Sequence, residues 1–140
     1  MLTILAERPL PGQTLERLCL PLQQDQFIEF GALLGTDAPI HVDVEYAKKT
    51  SYGGTIAQGM LLAAPLETWL CELFGEVTWF RSGRMQLKLL NPAVAGERVT
   101  MTLVVANVNP DTLSMNFTLA CGERLLATGS VGIGPIKQNV

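Results

Sequence analysis

Hydrophobic and polar positions fall into two regimes along the chain. In the second half they alternate: Arg98 to Val108 sets Val99, Met101, Leu103 and Val105 on one side, and Thr112 to Ala120 repeats the pattern with Leu113, Met115, Phe117 and Leu119. A period of two is that of a half-buried strand. Asn109-Pro110-Asp111 reads as the turn between these two strands, and Cys121-Gly122-Glu123 as the tight connection to a further strand over Arg124 to Ile133. Val77 to Leu90 reads as one long strand ahead of them. In the first half the spacing is helical. Phe27, Phe30 and Leu34 predict a short amphipathic helix over residues 23–34, ending near Gly35. Ile56 to Phe74 is apolar and carries the small residues Gly59, Ala63 and Ala64, as a buried central helix would; Pro65 inside it predicts a kink or a local break. Pro9, Pro11, Gly12 and Pro21 keep residues 1–22 from forming a long helix and predict a short extended lead-in. Between the two helices lies a polar stretch, Thr36 to Gly54, in which Val44 to Lys49 has room for one or two helical turns.

A buried helix followed by three or four consecutive antiparallel strands predicts an α+β architecture, a curved antiparallel sheet wrapped around a long central helix, which is the layout of a hot-dog domain. At 140 residues the chain has the size of one domain, expected to span 1–140, and a hydrophobic content of 48% supplies a sizeable core. Only 16% of residues are charged and the mean hydropathy is +0.27, greasy enough to suggest apolar surface buried between subunits. A net charge of −3 argues against nucleic-acid binding, which needs a basic face. No run of about 18 apolar residues is present, so no membrane span is expected. The first eight residues lack the basic start and long apolar stretch of a signal peptide, which predicts a cytoplasmic protein. Cys19, Cys71 and Cys121 are far apart and odd in number; they read as reduced thiols rather than a metal site or disulfide framework.

Chemistry concentrates in one stretch. It runs Gly35-Thr36-Asp37-Ala38-Pro39-Ile40-His41-Val42-Asp43, then Tyr46-Ala47, then Tyr52-Gly53-Gly54-Thr55-Ile56-Ala57-Gln58-Gly59-Met60-Leu61. This resembles the hydratase motif of the MaoC-like (R)-specific enoyl-CoA hydratases and dehydratases, a family of hot-dog fold. Downstream, Asn91-Pro92-Ala93-Val94-Ala95-Gly96-Glu97 resembles the family's later Pro-Val-x-x-Gly-Asp turn. The resemblance implies reversible hydration of a trans-2-enoyl-CoA to a (3R)-3-hydroxyacyl-CoA. It implies His41 and Asp37 as the catalytic pair, and Gly59, Gly54, Tyr52, Thr36 and Met60 as substrate-binding residues. No metal or redox cofactor is implied, coenzyme A being part of the substrate. The partners implied are an acyl-CoA or acyl carrier protein thioester and a second copy of the chain, as a homodimer or dimer of dimers.

The residue types suit the reaction. Adding water to an α,β-unsaturated thioester needs a base for the water proton and an acid for the α-carbon. The thioester oxygen gains negative charge as the enolate forms, and a backbone N–H at a helix start can stabilise it. Gly59 stands at that start and has no Cβ to keep a thioester away. In two respects the chain departs from the family: the aspartate five residues before the histidine is replaced by Thr36, with Asp37 four before His41, and Ala38 stands in place of the usual asparagine. Neighbouring residues on an extended loop point in opposite directions, so Asp37 serves either as the base or as a turn or cap residue. Asp43 reads as a helix cap. Two other functions compete. Glu67, on the central helix, is the carboxylate a hot-dog thioesterase would use, but eight helical residues beyond Gly59 it lies about 12 Å away, so a partner subunit would have to supply it. A non-catalytic acyl-CoA binding subunit is the third, motivated by the displaced aspartate.

Overall fold

The computed structural model describes residues 9–134. Within them the chain forms β1 (Thr14–Leu18), α1 (Gln24–Leu34), α2 (Pro39–Val42), α3 (Val44–Lys48), α4 (Gly59–Phe74), α5 (Glu76–Ser82), β2 (Gly83–Leu89), β3 (Thr100–Val108), β4 (Leu113–Cys121) and β5 (Arg124–Ile133). All strand pairings are antiparallel, in the order β1-β3-β4-β5-β2. The alternation in the sequence becomes the inner face of this sheet. Met101, Leu103, Val105, Leu113, Met115, Phe117, Leu119, Val131 and Ile133 are all buried in one apolar cluster. Helix α4 supplies the other half of that cluster through Leu62, Leu66, Leu70 and Phe74, spaced i, i+4 along one stripe. The expected α+β sheet around a central helix is therefore the architecture observed.

Pro65 does not divide α4, which runs unbroken from Gly59 to Phe74. A proline removes one N–H from the helical ladder. Here Leu62, Leu66 and Leu70 on either side are buried against the sheet and hold the helix through that gap. The helix stops at Gly75, whose φ of 83° lies in the left-handed region that favours glycine.

The long strand expected over Val77 to Leu90 is shorter than predicted. Residues Glu76–Ser82 form α5, and the strand begins only at Gly83. The helical turn buries Trp79 and lets its indole Nε1–H donate to Glu67 Oε1 at 3.2 Å. Val77 and Phe80 remain exposed. Tertiary packing of one tryptophan thus overrides a local run of β-favouring residues. The lead-in at the N-terminal end joins the sheet as edge strand β1, with Leu15 opposite Leu103 and Arg17 opposite Met101.

After β2 the chain crosses residues 90–97 to reach β3, and this loop is tied on several sides. Leu90 N–H donates to Leu126 O at 2.8 Å, Ala57 N–H to Ala93 O at 2.8 Å, and Gly96 N–H to Leu22 O at 2.7 Å. Glu97 closes it: Oε2 accepts the Val94 N–H at 2.8 Å and pairs with the Arg124 guanidinium. Partial burial pushes the Glu97 carboxyl up, but the Arg124 hydrogen bond, the Val94 amide and the Arg124 charge outweigh it and leave the group below its ordinary value. A carboxyl lowered on folding stabilises the protein above its unfolded pKa, and that contribution disappears as pH falls through the folded one. Glu97→Gln is therefore expected to cost about 1 kcal/mol or less at neutral pH. The difference from wild type should vanish in acid, checked by urea denaturation at several pH values.

Candidate active site

Helix α2 carries His41. Pro39 occupies its first turn, where a missing N–H costs nothing. Asp43 follows, and its Oδ1 accepts the Tyr46 N–H at 2.9 Å, capping α3 as the sequence predicted. The His41 ring is half-buried, with Nδ1 2.7 Å from the Ile56 carbonyl oxygen. A carbonyl only accepts, so Nδ1 carries the proton and donates it. Nε2 is then the nitrogen free to exchange a proton. The backbone supports the same contact, since Ile56 N–H donates to Ile40 O at 3.1 Å.

Three residues beyond Ile56 the chain enters α4. The amides of Leu61 and Leu62 both turn back to Gln58 O, at 3.0 and 3.2 Å. Gly59 N–H, at the first helical position, has no intrahelical acceptor, and the sixteen-residue helix adds partial positive charge at that end. His41 and Gly59 line one cleft of about 290 Å³, together with Ile56, Leu62, Leu89 and Asn91. A Cβ built on Gly59 would lie 2.4 Å from Leu89 Cδ1, so glycine is what keeps the helix start open beside that side chain. A proton-exchanging imidazole and an unpaired amide in one apolar-walled cleft can move a proton next to a carbonyl whose oxygen is held by the amide.

The other residues singled out from the sequence lie around this cleft rather than in its walls. Asp37 is exposed, its Cα and Cβ lying beside Gly31 of α1. Thr36 is exposed as well; its carbonyl accepts the Gln58 side-chain amide at 3.1 Å. Gly54 packs against Val94, and a Cβ at this glycine would lie 3.1 Å from Val94 Cγ1. Tyr52 and Met60 are exposed. Glu67 serves as the acceptor for Trp79 and does not line the cleft.

Two glutamines outside the sequence-predicted site organise the surroundings. Gln58 is buried, and its Nε2 donates to Phe27 O at 2.8 Å and Thr36 O at 3.1 Å, while its Oε1 has no partner among the described residues. Gln24, at the start of α1, donates from Nε2 to His41 O at 3.0 Å and accepts the Thr55 hydroxyl at Oε1. Only the position of Gln58, next to Gly59 in the motif, carries any signal in the sequence.

A family model described as a MaoC like domain matches residues 7–123. Solved structures share the fold. The R-hydratase PhaJ1 from Pseudomonas aeruginosa, in its unliganded form, is 21% identical, with 89% of this chain and 81% of that chain covered and a TM-score of 0.77. The (R)-hydratase from A. caviae involved in PHA biosynthesis is 21% identical, with 91% and 98% covered and a TM-score of 0.77. The HadBC complex, a 3R-hydroxyacyl-ACP dehydratase from Mycobacterium tuberculosis, is 14% identical, with 89% and 96% covered and a TM-score of 0.69. No curated protein matches the chain.

Gln58→Leu should remove the amide that joins the carbonyls of Phe27 and Thr36 and cost about 1–3 kcal/mol of stability. The midpoint of chemical denaturation measures this; an unchanged midpoint would show that the amide does not brace the cleft.

Proposed function

The chain belongs to the MaoC-like domain family, and from that premise we propose that it is a lyase catalysing reversible hydration of a trans-2-enoyl thioester to the (3R)-3-hydroxyacyl thioester. The observation that carries this reading is the shared cleft of His41 and Gly59. The thioester carbonyl accepts the Gly59 N–H, which stabilises the enolate oxygen. Neutral His41 takes a proton from water at Nε2 as the hydroxyl oxygen bonds to Cβ. The same proton then passes from the imidazolium to Cα, closing the balance of H to Cα and OH to Cβ. One imidazole thus does the work of base and acid in turn. Asp37 has no contact with the reacting atoms in this scheme. Coenzyme A or acyl carrier protein carries the acyl group, and no metal or redox group takes part.

A second copy of the chain completes the assembly we propose. Among the described residues, strand β2 ends the sheet with one edge unpaired, and Phe80 and Val77, just before it, are both 66% exposed. Pairing of two β2 edges covers these side chains and satisfies the edge. The relatives that are described as complexes of two named chains, ChsH1-ChsH2 and HadBC, agree with association of such domains. Sedimentation velocity should give a dimer or dimer of dimers, and Phe80→Asp should shift it toward monomer; a monomeric wild type would contradict the pairing.

An acyl-thioester binding subunit without turnover is the second reading, favoured by the absence of a carboxylate among the cleft-lining residues described. Loss of the conjugated-thioester absorbance of crotonyl-CoA separates the two. Hydration predicts turnover in wild type, none in His41→Ala, and Asp37→Asn within about fivefold of wild type, since a group outside the reacting shell leaves transition-state binding intact. Binding without turnover that Thr36→Asp does not rescue would establish the binding subunit and remove the lyase reading, whereas rescue by that change would mark a decayed hydratase.

A further inference from the structure

We propose that Gln24 is a positioning residue for the His41 imidazole, acting through a closed ring of hydrogen bonds with Thr55; its effect on turnover rests on the hydratase reading, its effect on the ring does not. Gln24 is the first residue of α1, remote in sequence from both partners. Its Nε2–H donates to the His41 carbonyl at 3.0 Å, and its Oε1 accepts the hydroxyl of Thr55, which is 3% exposed. Thr55 adjoins Ile56, whose carbonyl receives the imidazole Nδ1–H at 2.7 Å. The path therefore closes: amide to His41 backbone, His41 ring to Ile56 carbonyl, Ile56 to Thr55, Thr55 hydroxyl back to the amide.

This arrangement adds a side-chain brace to two segments that, among the described residues, the backbone joins by a single hydrogen bond, Ile56 N–H to Ile40 O at 3.1 Å. Helix α2 has only four residues and cannot hold a side chain rigidly by its own ladder. Together with that bond, the ring sets the distance between the His41 backbone and the Ile56 carbonyl. That distance selects the Nδ1–H tautomer and leaves Nε2 toward the cleft. A primary amide can donate to the carbonyl on one side and accept the hydroxyl on the other. A carboxylate at this position would lose the donor and set an oxygen against the His41 carbonyl.

The chain has one histidine, so tag-free ¹⁵N-labelled protein gives a single set of imidazole signals. In wild type, two-bond ¹H–¹⁵N spectra above the imidazole titration should show one tautomer, protonated at Nδ1. Gln24→Ala and the near-isosteric Thr55→Val should each give a tautomer mixture in a chain that keeps its far-UV circular dichroism. Turnover of crotonyl-CoA should fall in kcat by about ten- to a hundredfold with KM nearly unchanged, as misplacement of a reacting group predicts. A merely structural role would lower the melting point and leave the tautomer untouched. Wild-type imidazole spectra in both variants would overturn the proposal. Altered spectra in the variants of a chain that turns over no enoyl-CoA would uphold the positioning role and remove the hydratase reading instead.

Discussion

The hydrogen bond from the His41 ring to the Ile56 carbonyl is the contact on which the proposed chemistry depends, and the burial of α4 is what makes it available. Leu62, Leu66, Leu70 and Phe74 can leave water only by lying against the inner face of the sheet. That fixes where α4 starts, and so where Gly59 and the preceding residues 55–58 run. The Ile56 carbonyl then faces the polar loop before it, and the loop carries the histidine. An imidazole tied at Nδ1 to a carbonyl has one nitrogen left for chemistry and one orientation in which to use it. The geometry of the proposed site is in this sense a by-product of core packing with one added hydrogen bond.

Around that contact the structure places polar groups in an unusual way for so apolar a domain. Gln24 runs from α1 to the His41 carbonyl, and Gln58, at the α4 start, bridges the Thr36 carbonyl and that of Phe27 in α1. Side-chain amides are suited to this, because each carries two N–H donors and can hold carbonyls of two segments together. The loop after β2 is braced in the same manner by Glu97 and by Asn91, whose Nδ2 donates to Leu125 O at 2.7 Å. Three short connections of different sequence origin thereby meet at one cleft, each held by a side chain as well as by isolated backbone bonds. Such sites depend on their supporting contacts as much as on the groups that react.

Much of the fold is legible in the sequence because its signals are local. The alternation through β3, β4 and β5 and the apolar stripe of α4 follow from periodicity alone, and Asp43 declares itself as a cap by its place before Val44. The stretch Val77 to Ser82 reads as strand because valine, threonine, tryptophan and phenylalanine favour strands, while the burial of Trp79 that makes it helical is a tertiary fact. At the site, His41 and Gly59 can be named from the motif, and they do share the cleft. Gln24 cannot, since its partners lie 17 and 31 residues away and a glutamine at a helix start carries no distinguishing pattern. Nor can the exposure of Asp37, Tyr52 and Met60 be read, because it depends on side-chain direction in irregular segments and at a helix start.

The claim that the Gly59 amide receives a thioester carbonyl is tested most directly by amide spectra of the protein titrated with butyryl-CoA, a saturated ligand that cannot be hydrated. The account predicts that the Gly59 N–H moves furthest, downfield as a new hydrogen bond forms, with His41 and Leu89 moving alongside it. Saturable binding that leaves Gly59 still, and shifts instead the residues of the groove between β1 and the outer side of α4 around Cys19, Leu20 and Thr68, would contradict it.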